Sequence, residues 1–182
     1  MDLKKTLLNV KRRGAWSNVL TIDPGVHATG WAFWEYLDRQ FLGEHQRPDD
    51  SGVIRSRAKV WEEAAASVWN DLETVMVMND PMLIVIEFPG LWSSNAASHA
   101  SAAKGDLFKL AYLVGGMGHV ISERGDVDST TAKFPILLSP AEWKGQLPKK
   151  VVMGRIKRAY GRKYRDHEAD SVGLGLFLQG GL

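Results

Sequence analysis

The chain has 182 residues, of which 45% are apolar, and a formal net charge of +2 at pH 7. A chain of this length fits one domain, and its apolar content is enough for a packed core. The sequence contains no cysteine, which excludes disulfides and thiolate metal sites and favours a cytoplasmic location. Since no apolar run approaches the ~20 residues of a membrane span, we expect one soluble domain over residues 1–182.

The first predicted strands follow a basic segment. Residues 1–18 carry five Lys or Arg but lack the apolar stretch of a secretory signal, so they indicate a basic N-terminal arm. Apolar or aromatic runs at residues 19–22 and 30–36 predict two strands, and residues 37–44 predict a third after a turn. Together these runs predict a β-meander.

The rest of the chain alternates between helical and strand patterns. Apolar side chains recur at helical spacing over residues 56–78, and the pattern stops before Asn79-Asp80-Pro81. The elements predicted after this helix are a buried strand at 83–86, a helix at 106–122, a strand at 134–138, and helices at 148–160 and 167–178. The order β-β-β-α-β-α-β-α-α predicts a mixed α/β domain.

The helix predicted over residues 106–122 contains three glycines, which permit close packing against a neighbouring element. Its apolar side chains, Leu110, Leu113, Val114 and Met117, have two interpretations. They form an interface with a second copy of the chain, or they pack on the sheet of their own domain.

Three carboxylates stand where apolar elements begin or end. Asp23 follows a strand on a Pro-Gly turn, Glu87 follows the LIVI strand, and Asp170 shares a helix face with His167. Each also fits a structural role in a turn, a strand end or a helix N-terminus. Burying several like charges together requires a cation, and carboxylate oxygens suit Mg²⁺ or Mn²⁺. The combination therefore predicts a metal site formed by Asp23, Glu87, His167 and Asp170.

Residues 144–165 carry nine Lys or Arg and no acid. Such a run is typical either of a solvated helix face or of a surface that binds phosphates.

In this order, the segments resemble the RuvC-type Holliday-junction resolvases of the RNase H-like superfamily, from about residue 19 to residue 178. The stretch IDPGVHATGWAFW is similar to the first-strand motif of that family, and LIVIEFPGLWSSN to its fourth-strand segment. HEADSVGLGLF is similar to the last-helix motif, and SPAEWKGQLPKKVV to the segment that carries lysines. The resemblance implies an RNase H-like α/β domain with a mixed five-stranded sheet flanked by helices.

The resemblance also implies an activity, that of a metal-dependent crossover junction endodeoxyribonuclease with two Mg²⁺ or Mn²⁺ ions. The chain's divergence from cellular members favours a viral relative that acts on a wider range of branched DNA. The implied catalytic residues are Asp23, Glu87, His167, Asp170 and Lys144, of which the first four hold the metal. The loop after Lys144 is short, so the second active-site lysine is either Lys149 or Lys150.

The implied partner is a four-way DNA junction, whose near two-fold symmetry matches a homodimer. Trp92 either contacts DNA or packs on its own domain. The residues implied in DNA binding are Lys144, Lys149, Lys150, Arg155, Lys157, Arg158, Phe88 and Trp92.

Three other functions use related patterns. A non-cleaving nucleic-acid-binding module would keep the fold without the chemistry. An RNase H-type enzyme cutting RNA in RNA–DNA hybrids would use the same carboxylates. An ATPase of the actin and Hsp70 superfamily would need a second phosphate loop and an adenosine-binding segment, and neither is found in the sequence.

Overall fold

A computed structural model of the chain describes residues 15–38, 45–88, 104–127 and 135–182. These residues form five strands and five helices, numbered in chain order. The strands are β1 (Ala15–Asp23), β2 (Ala28–Asp38), β3 (Asp50–Arg55), β4 (Leu83–Glu87) and β5 (Ile136–Leu138). The helices are α1 (Trp61–Asn79), α2 (Asp106–Val127), α3 (Pro140–Trp143), α4 (Lys149–Tyr160) and α5 (Asp166–Leu178).

All five strands belong to one sheet, in the order β3-β2-β1-β4-β5. The pairs β3–β2 and β2–β1 are antiparallel, whereas β1–β4 and β4–β5 are parallel. Helices cover both faces of the sheet, α1 and α2 on one and α4 and α5 on the other. The predicted fold class, a mixed five-stranded sheet flanked by helices, is confirmed.

The side chains of β1 alternate between the two faces, as the pleat of a strand requires. Leu20 and Ile22 are buried in the core with α1 and α2, and Val19 is buried in the core with α5. Thr21 points the same way as Val19, and its hydroxyl donates to the carbonyl of Ser171 in α5 at 2.8 Å. Two residues further on, Asp23 must therefore face α5 as well.

Most predicted elements are present, with shifted ends. β1 begins at Ala15, inside the predicted N-terminal arm, and the helix predicted over 56–78 begins at Trp61. That helix ends as predicted, because its C-cap Asp80 adopts a left-handed conformation with φ 42°. The short helix α3 was not predicted.

The third strand predicted at residues 37–44 falls mostly outside the described ranges. Leu37 and Asp38 are the last residues of β2, residues 39–44 lie outside the described ranges, and the third strand is β3. β3 lies at the edge of the sheet and is held by backbone pairing to β2. Edge strands tolerate polar side chains, and so DSGVIR carries a weak apolar signal.

The apolar side chains of α2 belong to its own domain. Leu113, Val114 and Met117 are almost fully buried in the core with α1, so the second interpretation of this helix holds for them. Gly116 allows this packing, since a Cβ there would lie 2.1 Å from the ring of Trp69. The exposed side of α2 carries Phe108, whose relative exposure is 66%.

α5 approaches β2 closely at Gly30. A Cβ at Gly30 would lie 2.0 Å from the carbonyl oxygen of His167 and 2.7 Å from the amide nitrogen of Glu168. Backbone atoms cannot move aside as a flexible side chain can. The absence of a side chain at position 30 therefore fixes where the first turn of α5 lies.

We expect Gly30→Ala to lower the free energy of unfolding by roughly 1–3 kcal/mol, the usual cost of overpacking. Urea denaturation measures this change. The matched control is Gly115→Ala on α2, where an added Cβ meets nothing within 4 Å. That substitution should raise stability by up to about 1 kcal/mol, because glycine is a poor helix former. Equal stability of Gly30→Ala and the wild type would contradict the close approach.

Two predictions concern residues outside the described ranges. Residues 1–14 of the predicted N-terminal arm lie there, and so does Trp92. Within the described ranges, no helix combines the length and the apolar character needed to cross a membrane.

Candidate active site

Asp23 and Glu87 lie side by side at the carboxyl ends of two neighbouring parallel strands. Ile22 of β1 pairs with Ile86 of β4, and each carboxylate follows directly. Both side chains are largely buried, with exposed fractions of 11% for Asp23 and 14% for Glu87. Adjacent strands lie about 4.8 Å apart, so two acids in this register are close neighbours.

The first turns of α5 bring two more predicted residues to the same place. His167 Nδ1 lies 2.6 Å from Asp23 Oδ2. Asp170 follows one helical turn later, and its side chain is only 10% exposed. Asp23, Glu87 and Asp170 therefore converge under the start of α5, and we call these three residues the acid cluster.

The turn after Asp23 is held by the threonine of the IDPGVHATG stretch. The Thr29 hydroxyl accepts from the Gly25 amide at 3.2 Å and donates to the Gly25 carbonyl at 2.9 Å. This pair of bonds closes the turn between β1 and β2. The next residue, Gly30, allows α5 to approach the sheet closely. Thr29 therefore holds the turn that follows Asp23, and Gly30 sets the position of the helix that carries His167 and Asp170.

Burial and mutual repulsion make the acid cluster reluctant to ionise completely. Burial raises the pKa of Asp23, and the nearby Asp170 raises it further, against the lowering effect of His167. Burial, followed by the charge of Asp23, raises the pKa of Glu87 from 4.5 to about 7. The hydrogen bond to Asp23 raises the pKa of His167, which favours the imidazolium form. This pattern is that of a negatively charged pocket that lacks enough positive charge.

Trp143 and Lys144 both contact Glu87. The indole Nε1 of Trp143 donates to Glu87 Oε2 at 2.8 Å, and Lys144 Nζ lies 3.5 Å from the same oxygen. The Lys144 ammonium also lies 4.6 Å from the centre of the Trp143 ring. The position of Trp143 directly before Lys144 is the only signal in the sequence of this contact.

Lys149, the first residue of α4, contacts Asp170 of the acid cluster. Its ammonium lies 2.8 Å from Asp170 Oδ2 and also contacts Asp166. Although burial opposes it, these two hydrogen bonds raise the pKa of Lys149 above its usual value. Of the two lysines considered from the sequence, Lys149 is the one that forms an ion pair with an acid of the cluster.

Each acid of the cluster is thus engaged by a cationic group of the chain itself. In the described part of the chain, no group of three or more Asp, Glu, His or Cys side chains is arranged to hold a metal ion. The chemistry of the cluster nevertheless fits a hard divalent cation, since it offers buried carboxylate oxygens whose charges repel one another.

The other predicted DNA-binding residues lie on two flanks of α4. Lys150 and Lys157 line a cavity beside the start of α5. Arg155 and Arg158 line a different cavity near the C-terminal end of α4. Phe88 lies next to the acid cluster, and 38% of its surface is exposed.

No protein-family model matches this chain, and no curated protein sequence matches it either. A structure of RuvC from Thermus thermophilus is similar to it with a TM-score of 0.61 and 17% identity, over 88% of this chain and 92% of that chain. T. thermophilus RuvC in complex with a Holliday junction substrate gives a TM-score of 0.62 and 17% identity, over 89% of this chain and 92% of that one. At this identity the likeness establishes the fold alone, and the chain has the RNase H-like fold of RuvC.

Proposed function

We propose that this protein is a metal-dependent endonuclease that cuts Holliday junctions and other branched DNA by phosphodiester hydrolysis. The observation that carries the proposal is the convergence of Asp23, Glu87 and Asp170 at one edge of the sheet, beside two lysines. The fold of a protein that has been solved with a Holliday junction substrate supports it. The chain lacks cysteine, and we expect it to act in the cytoplasm.

Asp23, Glu87 and Asp170 of the acid cluster would hold two Mg²⁺ or Mn²⁺ ions. When bound, such ions supply an activated water and stabilise the departing oxygen of the phosphodiester. His167 would complete the ligand set or orient the water from its place beside Asp23.

The lysines would act on the phosphate. Lys144 is only 22% exposed, so its charge is poorly screened and can stabilise the negative charge that builds up in the transition state. Lys149 contacts Asp170, a different acid of the cluster, and would be the second active-site lysine. An ammonium group of Lys149 that leaves Asp170 would be available to a phosphate oxygen.

DNA would be held by the basic flanks of α4 and by the surface around Glu87. Lys150, Lys157, Arg155 and Arg158 would contact phosphates, which position the substrate without reading its sequence. Phe88 and Trp92 would contact the bases near the cleaved strand.

A homodimer would present two such sites to the two strands cut in a four-way junction. Phe108 and Tyr112 of α2 are exposed while their rings contact Trp61 of α1, and they would form part of the surface available to a partner.

A cleavage panel tests the proposal. A four-way junction, a fork, a linear duplex and an RNA–DNA hybrid are incubated with Mg²⁺, with Mn²⁺ or with EDTA. We expect cuts in the junction and the fork that require the metal. Preferential cutting of the hybrid would instead identify an RNase H-type enzyme.

A second candidate is a junction-binding module without nuclease activity. It is favoured by the engagement of every carboxylate of the acid cluster with His167, Lys144 or Lys149. Metal-independent binding of the junction in a gel, without cleavage at any Mg²⁺ or Mn²⁺ concentration, would select this candidate.

Lys149→Gln should strengthen Mn²⁺ binding roughly tenfold, because it removes a positive charge 2.8 Å from Asp170. The same substitution should slow cleavage, since the ammonium no longer reaches the phosphate. Calorimetric titration with Mn²⁺ measures the affinity, and Lys150→Gln, which removes an exposed charge next along the chain, is the control. Weaker Mn²⁺ binding by Lys149→Gln would show that Lys149 does not compete with the metal.

A further inference from the structure

A basic cavity lies at the far end of α4 from the acid cluster. It has a volume of about 730 Å³, and four of its lining residues are His45, Arg47, Arg155 and Arg158. Arg158 follows Lys149 by nine residues, which corresponds to about 13 Å along the helix axis. The cavity is therefore separate from the site described above.

The charges around this cavity are not balanced. Among the described residues, no carboxylate lies within ion-pair distance of Arg47, Arg155 or Arg158. The C-terminal ends of α4 and α5 lie nearby, and each contributes about half a negative charge. Three guanidinium groups line the cavity, so it favours an anion.

Partly buried hydrogen bonds hold the segment that carries His45 and Arg47. The carbonyl of Gln46 accepts from Gln179 Nε2 at 2.8 Å and from Trp34 Nε1 at 3.3 Å. Gln179 is 5% exposed, and its Nε2 also donates to the Tyr160 hydroxyl at 3.2 Å. The backbone of this segment is thereby tied to the ends of α4 and α5, and the three arginines are held around one space.

We propose that this cavity is a binding site for a phosphate group, distinct from the acid cluster. Guanidinium groups bind phosphate oxygens through paired, charge-assisted hydrogen bonds, and several converging arginines are the usual means of recognising a phosphate. The volume is enough for a phosphate together with an attached sugar or nucleotide. Arg155 and Arg158 are also DNA contacts of the proposed function, on which the site rests if its phosphate belongs to DNA; a free phosphorylated ligand would take it beyond that function.

Inorganic pyrophosphate is the probe, titrated calorimetrically into the full-length protein in EDTA. The double variant Arg155→Ala/Arg158→Ala should bind it at least about tenfold more weakly than the wild type, because each arginine contributes charge-assisted hydrogen bonds. The control Arg57→Ala/Lys59→Ala removes two exposed positive charges between β3 and α1 and should bind within about twofold of the wild type. Circular dichroism checks that each variant is folded.

Arg47→Ala provides a second, independent test, because Arg47 is exposed and lies outside the helices. It should weaken pyrophosphate binding in the same direction, including in the case where the double variant does not fold. Pyrophosphate binding that is equally tight in the wild type and the arginine variants, or absent from the wild type, would overturn the proposal.

A competition experiment identifies the source of the phosphate. If the DNA backbone supplies it, pyrophosphate will displace a four-way junction from the wild-type protein in EDTA. If a free phosphorylated molecule supplies it, the junction and pyrophosphate will bind together. Both results agree with a phosphate site, and they assign it to different ligands.

Discussion

Asp23→Asn is expected to abolish metal-dependent cleavage of a four-way junction, with a loss of at least about 10³-fold in rate. Asp23 interacts with both other acids of the cluster, since its charge raises the pKa of Glu87 and the charge of Asp170 raises its own pKa. Asparagine keeps the size of the side chain and one oxygen for His167 but removes the charge that would bind the metal. Single-turnover cleavage assays measure the loss.

The same substitution should leave junction binding intact, because phosphate contacts come from other residues. Its stability without metal should equal or exceed that of the wild type, since it removes a buried charge from a repulsive cluster. Asp71→Asn, on the exposed side of α1, is the matched control and should cleave normally. Cleavage by Asp23→Asn at a rate near that of the wild type would rule out the proposed mechanism.

In the absence of divalent ions, the folded state should lose stability as the pH rises from about 4.5 to about 7. Within this range, Glu87 is still protonated in the folded protein but already ionised in the unfolded chain. The folded state binds more protons, so the free energy of unfolding falls with rising pH. A pKa rise of this size corresponds to a loss of up to about 3 kcal/mol.

Urea denaturation in EDTA across this pH range measures the effect. Glu87→Gln should remove most of the decrease, because glutamine carries no proton to lose, whereas Glu73→Gln on the exposed side of α1 should keep it. Adding Mn²⁺ at pH 7 should restore stability to the wild type and not to Glu87→Gln. A wild-type stability that does not change with pH would mean that Glu87 is better solvated than its surroundings indicate.

Local sequence patterns predict much of the arrangement of Asp23, Glu87, His167 and Asp170. Asp23 and Glu87 end apolar strands, and in parallel neighbouring strands such ends meet at one edge of the sheet. His167 and Asp170 are three residues apart on a helix, which puts them on one face. These patterns place two acids at one edge of the sheet and His167 and Asp170 on one helix face, and the resemblance to the RuvC-type resolvases implied that the helix lies over that edge.

The contacts that engage those acids could not be anticipated in the same way. The positions of Lys149 and Trp143 around the cluster depend on how α3 and α4 pack on β4 and α5, and sequence patterns contain no information on such long-range geometry. The basic run at residues 144–165 likewise predicts a single surface. In the helix, its members point to different flanks, so Arg155 and Arg158 lie apart from Lys150 and Lys157.

The close approach at Gly30 also determines which changes the site tolerates. The contact with α5 is made by main-chain atoms of His167 and Glu168, so it is the same whatever side chains those residues carry. Ten of the thirteen residues of α5 are buried, so the helix cannot move away from the sheet without losing core contacts, and a side chain at position 30 would collide with its main chain. The position of α5, and of the two site residues that it carries, thus depends on a single glycine in β2.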